Sequence, residues 1–364
     1  MIKEIKTTKT TLQDAFNEAV SQIDHARLIF YVSTWEDIKT LTLGFYEMFP
    51  HIPCIGLYSE IISDVYKDPT RLIVLVFDDD FEIRTGCIRN LSTSVSDVMS
   101  IEHNINEIHP GNEDTICLEV CTGFEETFVT TLDSVLEPAH IGLIGGTAFG
   151  EFASHEPVVT YQGELLQDTC VYALIRNKKG RIRLYYENIY GLMNDQVHMA
   201  TKVELDKKAL IEIDGLPAAQ VYSDAVHLPI DQLIDNVMQN PLGRRVGEKI
   251  YVASPRTLLD DGTIINYKRF NLNDTISVLE LKDYQKINKE TMQTIISEIP
   301  HRDFVLVTDC IYRYNLFNNK HFMKDYIDNL NTLGRHVGYI SYGEQYRNQH
   351  INQSMLCAVF ESEE

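Results

Sequence analysis

Tryptophan occurs once in the 364 residues, and no stretch approaches the ~20 uninterrupted apolar positions that a bilayer-spanning helix needs. The opening run "MIKEIKTTKTTLQDAF" has no apolar signal-peptide core, so the expected compartment is the cytoplasm. Positive charge is scarce: 32 Lys and Arg stand against 53 Asp and Glu, a formal net charge of −21. A polyphosphate would be repelled over most of such a surface, which argues against nucleic acid as a partner. Metal and catalytic signatures are missing as well. The seven cysteines are scattered, and Cys117 and Cys121 have no second close pair or nearby histidine to complete a zinc site. None of the twelve histidines forms His-Glu-x-x-His or a close His/Cys set. No phosphate loop, nucleophile elbow, kinase signature, low-complexity tract or heptad run is present, and no structural metal is expected.

What is present reads as a folded α/β protein. Hydrophobic residues make up 44% and charged residues 23%, close to ordinary globular composition, and the length suggests two or three compact units. "ARLIFYVST" (26–34) reads as a buried strand, "WEDIKTLTLGFYEMF" as a helix, and "IPCIGLY" and "RLIVLVF" as two further strands. The order recurs in "DTICLEVCT" (114–122), the helix "FEETFVTTLDSVL", "HIGLIGGTAFGE" (140–151) and "DTCVYALI" (168–175). It recurs again in "DFVLVTDC" (303–310), "FMKDYIDNLNTL", "VGYISYGEQ" and "SMLCAVFE" (354–361). The expectation is a repeated strand-helix-strand-strand unit forming mixed sheets, with a β-hairpin-rich insert in the middle. Within that insert, "DG" at 214–215 and "DDG" at 260–262 are tight-turn signals, and Pro217 sits where a helix can start. A change of subdomain is expected around 205–215.

Each recurring unit ends in a Gly-bearing strand followed by Glu60, Glu151 or Glu344. A right-handed strand-helix-strand unit places its strand ends on one sheet edge, where ligands bind in open α/β sheets. Two readings stand for these segments. In one, Gly145, Gly146 and Thr147 contact a small ligand, Arg313 clamps an anionic group, and Tyr342, Gly343 and Glu344 form an aromatic and carboxylate wall. In the other, the glycines serve sharp turns, the tyrosines cover a sheet edge, and Arg313 pairs with an acidic neighbour. Asp78, Asp79 and Asp80 read as a solvated hairpin turn, since the calcium-loop pattern is absent.

The ordered landmarks resemble those of FIST proteins, a bacterial sensory family with paired N- and C-terminal FIST regions. The resemblance runs from about residue 25 to the end. It rests on "IPCIGLYSEI", "HIGLIGGTAFGE", "ALIEIDGLPAAQVY", "NPLG", "YVASP" with "DDGTI", "CIYR", and "GYISYGEQ" followed by "NQSMLCAVF". It implies a FIST N-terminal-like domain over 1–208 and a FIST C-terminal-like domain over 209–364. It also implies a sensory role in signal transduction: binding of a small polar metabolite such as an amino acid, reported to a histidine kinase, a chemoreceptor or a cyclic-di-GMP enzyme; no enzymatic activity is expected. Tyr58, Ser59, Thr147, Phe149 and Tyr312 stand where smaller residues are usual, which would narrow a pocket. Some family members are haem proteins that sense nitric oxide, and a single axial histidine leaves no motif, so His155 and His198 are the residues named for that alternative. A third alternative is an enzyme using Cys310 and Glu344.

Overall fold

Residues 1–149 and 156–362 are described by the computed structural model. Its frame is a strand arrangement that occurs three times. Leu28–Ser33 runs parallel to Cys54–Tyr58 on one side and antiparallel to Leu72–Phe77 on the other, with the helix Ile38–Met48 bridging the parallel pair. Thr115–Cys121 lies between parallel Gly142–Thr147 and antiparallel Thr169–Asn177, bridged by the helix Glu125–Leu136. Arg302–Cys310 lies between parallel His336–Ser341 and antiparallel Ser354–Glu361, bridged by Ile311–Asn319 and Met323–Asn331.

The near-continuous apolar runs of these strands follow from burial on both faces. Phe30, Leu118 and Leu306 share one cluster at the centre of the molecule. Residues one position away in each strand turn the opposite way, because side chains alternate along a strand. Ile29 and Tyr31 pack beneath Leu41 and Phe45, Cys117 beneath Phe128 and Leu132, and Val305 and Val307 beneath Leu316 and Tyr326. Each fully buried aliphatic or aromatic side chain contributes roughly 1.5–3 kcal/mol of transfer free energy, so the shared centre fixes how the three arrangements face one another.

The two halves of the sequence interlace. Ile61–Ile62 pairs with His336–Ser341, Ile182–Asn188 with Ser354–Glu361, and Glu344–Tyr346 with Gly142–Thr147. Between them comes a mainly hairpin-built sheet. His198–Glu204 and Ala209–Ile213 pair antiparallel, and Asp214 and Gly215 both take positive φ, as the tight-turn signal requires. Pro217 caps the helix Ala218–Val226, where its missing N–H costs little. Gly262, at φ +83, turns Pro255–Leu258 back along Ile264–Asn266. Among the described residues no helix is long and apolar enough to cross a membrane.

Candidate functional site

The segments singled out in the sequence do meet. Ser59 Oγ donates to the Ile340 carbonyl (2.6 Å) and accepts from the Ile340 N–H (3.0 Å). The Thr147 N–H donates to the Gly343 carbonyl (2.9 Å), and the Tyr342 N–H donates to the Thr147 carbonyl (3.0 Å). The rings of Tyr58, Phe149 and Tyr342 follow one another, with centroids 6.2 and 4.7 Å apart.

Most of the predicted site residues lie behind this junction. A Cβ on Gly145 would stand 2.2 Å from the Glu119 carbonyl oxygen, and one on Gly146 would stand 2.6 Å from Ser341 Cβ. These glycines admit neighbouring strands. Gly343, at φ +147, leaves room for the His350 ring. Glu344 is fully buried, accepting from Ser341 Oγ (2.8 Å) and the Ser354 N–H (3.2 Å), and burial pushes its carboxyl well above the ordinary range. Glu60 is exposed, so Glu60 and Glu344 do not share a hollow; Glu151 lies outside the described residues.

Arg313 is placed by a feature the sequence reading overlooked. A helix starts directly after Cys310, so residue 313 turns into the core instead of standing at a strand end. Its guanidinium is fully buried, pairs with Glu187, lies 3.1 Å from Asp309 Oδ1 and packs over the Phe317 ring. That matches the ion-pair reading of Arg313 in its contacts, and Arg313 is not among the residues lining the pocket in front of the junction. Burial, reinforced by Glu344, drives the Cys310 thiol well above its usual pKa, the reverse of what a thiolate nucleophile needs. His198 pairs through Nδ1 with Asp214 (2.7 Å), and His155 lies outside the described residues.

A pocket of about 370 Å³ opens in front of the junction, lined by Thr147, Ala148 and Tyr342 together with residues the sequence reading did not select. Its floor is the turn after the buried strand Thr115–Cys121. Gly123, at φ +143, has open space where a Cβ would stand, and Phe124 caps the helix Glu125–Leu136 from the left-handed region with no side-chain cap bond. The first turn of that 12-residue helix therefore faces the pocket with no cap bond from its N-cap residue. Hairpin residues Lys208, Arg256, Tyr267 and Arg269 form the opposite wall.

Charge of both signs is fixed there. Lys208 Nζ donates to Glu125 Oε2 (2.5 Å) and to the Tyr267 carbonyl (2.8 Å), and lies 3.7 Å from Glu126. Burial acts against all three charges, but the attraction wins: Lys208 holds Glu125 and Glu126 below the ordinary carboxylate range, and they hold its ammonium above the ordinary lysine value. Behind Glu125 a relay continues inward. Thr147 Oγ1 donates to Glu125 Oε1 (2.9 Å), and Gln345 Nε2 donates to Thr147 Oγ1 (3.2 Å) and to His350 Nδ1 (3.0 Å). The signal that could have found this wall was "CTGFEE": a buried strand, a glycine and a helix start at the ligand-binding edge of a parallel pair. Lys208 and Arg269 carry no local signal, since hairpins bring them across from distant positions.

The chain matches the FIST N domain over residues 27–216 and the FIST C domain over residues 218–347. It is also 25% identical to an uncharacterized protein of Methanocaldococcus jannaschii, over 99% of this chain and 79% of the relative. Taken with the α/β architecture that both halves build, these matches show that the chain belongs to the FIST family of signal-transduction sensors.

Proposed function

We propose that the pocket between the Gly123–Phe124 turn and the Lys208 hairpin is the sensory site, and that its ligand is a small zwitterion of the amino-acid class. One observation carries the reading: a pocket of about 370 Å³, within the range of small-molecule sites, is lined by two carboxylates, Glu125 and Glu126, and a lysine, Lys208, that hold one another ionised. A ligand ammonium would lie toward Glu125 and Glu126, and its carboxylate toward Lys208, Arg269 and the uncapped helix turn, which favours negative charge. Tyr267, Tyr342 and Phe124 give rigid apolar walls for the rest of the molecule.

Occupancy would reach a separate protein through the junction, since Thr147 touches both Glu125 and the strand end at Gly343. The partner classes that the family supplies, a histidine kinase, a chemoreceptor or a cyclic-di-GMP enzyme, remain the candidates for receiving the signal.

A thermal-denaturation screen against the standard L-amino acids, each beside its decarboxylated amine and its deaminated acid, tests the ligand class. At least one amino acid should raise the midpoint while its two single-charge analogues do not. Equal shifts from amine and amino acid, or no shift from any of them, would overturn the zwitterion reading.

A further inference from the structure

Beside Glu126 and Arg269 lies a second, smaller cavity of about 160 Å³ whose charged lining is three cations and one carboxylate. Arg244, Lys268 and Arg269 all face it, in a chain where acidic residues outnumber basic ones by 53 to 32. Lys268 is only 1% exposed, and its ammonium donates to neutral acceptors: the His350 carbonyl and, at 3.5 Å, Gln349 Oε1. The nearby carboxylates are already engaged. Asp274 Oδ2 takes Arg244 Nη1 (2.7 Å) and the Asn271 N–H (2.7 Å), while Glu126 accepts from the Arg269 N–H (2.7 Å) and faces Lys208. Arg244 Nε and Arg269 Nε are buried with no hydrogen-bond partner among the described residues. Lys268 thus brings to the cavity wall a buried ammonium with no carboxylate partner among the described residues, a group whose burial is costly unless an acceptor of opposite charge meets it.

We propose that this cavity is a binding site for a compact oxyanion, held by Lys268, Arg244 and Arg269. The chemistry is that of phosphate or sulfate, either as a free ion or as a group carried by a ligand in the larger pocket, with which the cavity shares Glu126 and Arg269. A tetrahedral anion offers acceptors in several directions, which suits the Arg244 guanidinium of the strand Leu242–Val246 and the neighbouring Lys268 and Arg269 of one loop. The electrostatics agree. Burial, and then Arg244, depress the Lys268 amine to about 7, with only Glu126 and Asp274 opposing the shift, and burial likewise keeps His350 below the usual histidine value. An anion in the cavity would restore the Lys268 proton.

The test is calorimetric titration of inorganic phosphate, and separately of sulfate, into wild type, Lys268→Met, Arg244→Gln and the exposed-lysine control Lys320→Met. Neither Lys268 nor Arg244 lines the larger pocket, so failure of the amino-acid reading would leave this outcome unaffected. Wild type and the control should bind alike, and both cavity variants about tenfold more weakly or worse, as loss of one charge-assisted hydrogen bond implies. Sulfate, which does not titrate near neutral pH, should take up a fraction of a proton in wild type, read from buffers of different ionisation enthalpy, and Lys268→Met should abolish that uptake. O-phosphoserine distinguishes the source. Much tighter binding than phosphate means one ligand spanning both cavities, and equal binding means a free ion. No binding of either anion by wild type, or equal binding by wild type and both cavity variants, overturns the proposal.

Discussion

Glu125 and Arg313 occupy like places, each in the first turn of a helix that follows a buried strand, yet one faces a pocket and the other is sealed. The difference lies in the connection. Thr122, Gly123 and Phe124 separate strand from helix in the first case, and the open space at Gly123 leaves a hollow in front of Glu125. In the second, the helix begins at Ile311 with Cys310 as its cap, and the guanidinium is drawn inward between Glu187 and Asp309. A charged side chain just past a buried strand thus lines a pocket or fastens the core according to how many residues separate that strand from the next helix.

The largest expected effect comes from breaking the sealed cluster. Arg313→Met leaves Glu187 and Asp309 buried without their cation, and chemical denaturation should show a loss of about 3–5 kcal/mol. Gly145→Ala sharpens the distinction between glycines that admit structure and glycines that admit ligand. Its methyl would meet the Glu119 carbonyl, so overpacking should cost about 1–3 kcal/mol in the same measurement.

Glu125→Gln should cost less, about 1–2 kcal/mol, because Lys208 retains Glu126 and its side chain is 23% exposed. The same change should remove part of the acid sensitivity. A carboxyl held low in the folded state stabilises it above the unfolded value near 4.5 and loses that contribution as pH falls below it, so the variant's stability should decline less steeply there. Glu344→Gln should act with the opposite sign. A carboxyl held high favours the folded state below about 4.5 and penalises it as pH rises, so denaturation above neutral pH should find the variant more stable by about 1 kcal/mol.

The frame was legible because its strands are buried on both faces and therefore read as nearly unbroken apolar runs, as in "LIFYVS" and "LIVLVF". The turn at Asp214 and Gly215 was legible because few residue pairs tolerate two positive φ values in succession. Of the candidate site, the sequence pointed to the edge where Thr147 and Tyr342 stand, but Gly145, Gly146, Gly343 and Glu344 lie behind the pocket. A glycine that makes room for a strand and one that makes room for a ligand look alike in sequence. The direction of Arg313 depended on a helix starting one residue after the strand, and element boundaries are the weakest part of any pattern reading. Lys208 and Lys268 could not be separated from surface lysines, because their surroundings are decided by chain returning from distant positions.

The most direct test of the account is a crystal structure of the protein grown with the amino acid that gives the largest thermal shift. That molecule should lie in the pocket beside Thr147 and Tyr342, its ammonium at Glu125 or Glu126 and its carboxylate toward Lys208 and Arg269. An amino acid bound at any other place, with that pocket empty, would contradict it.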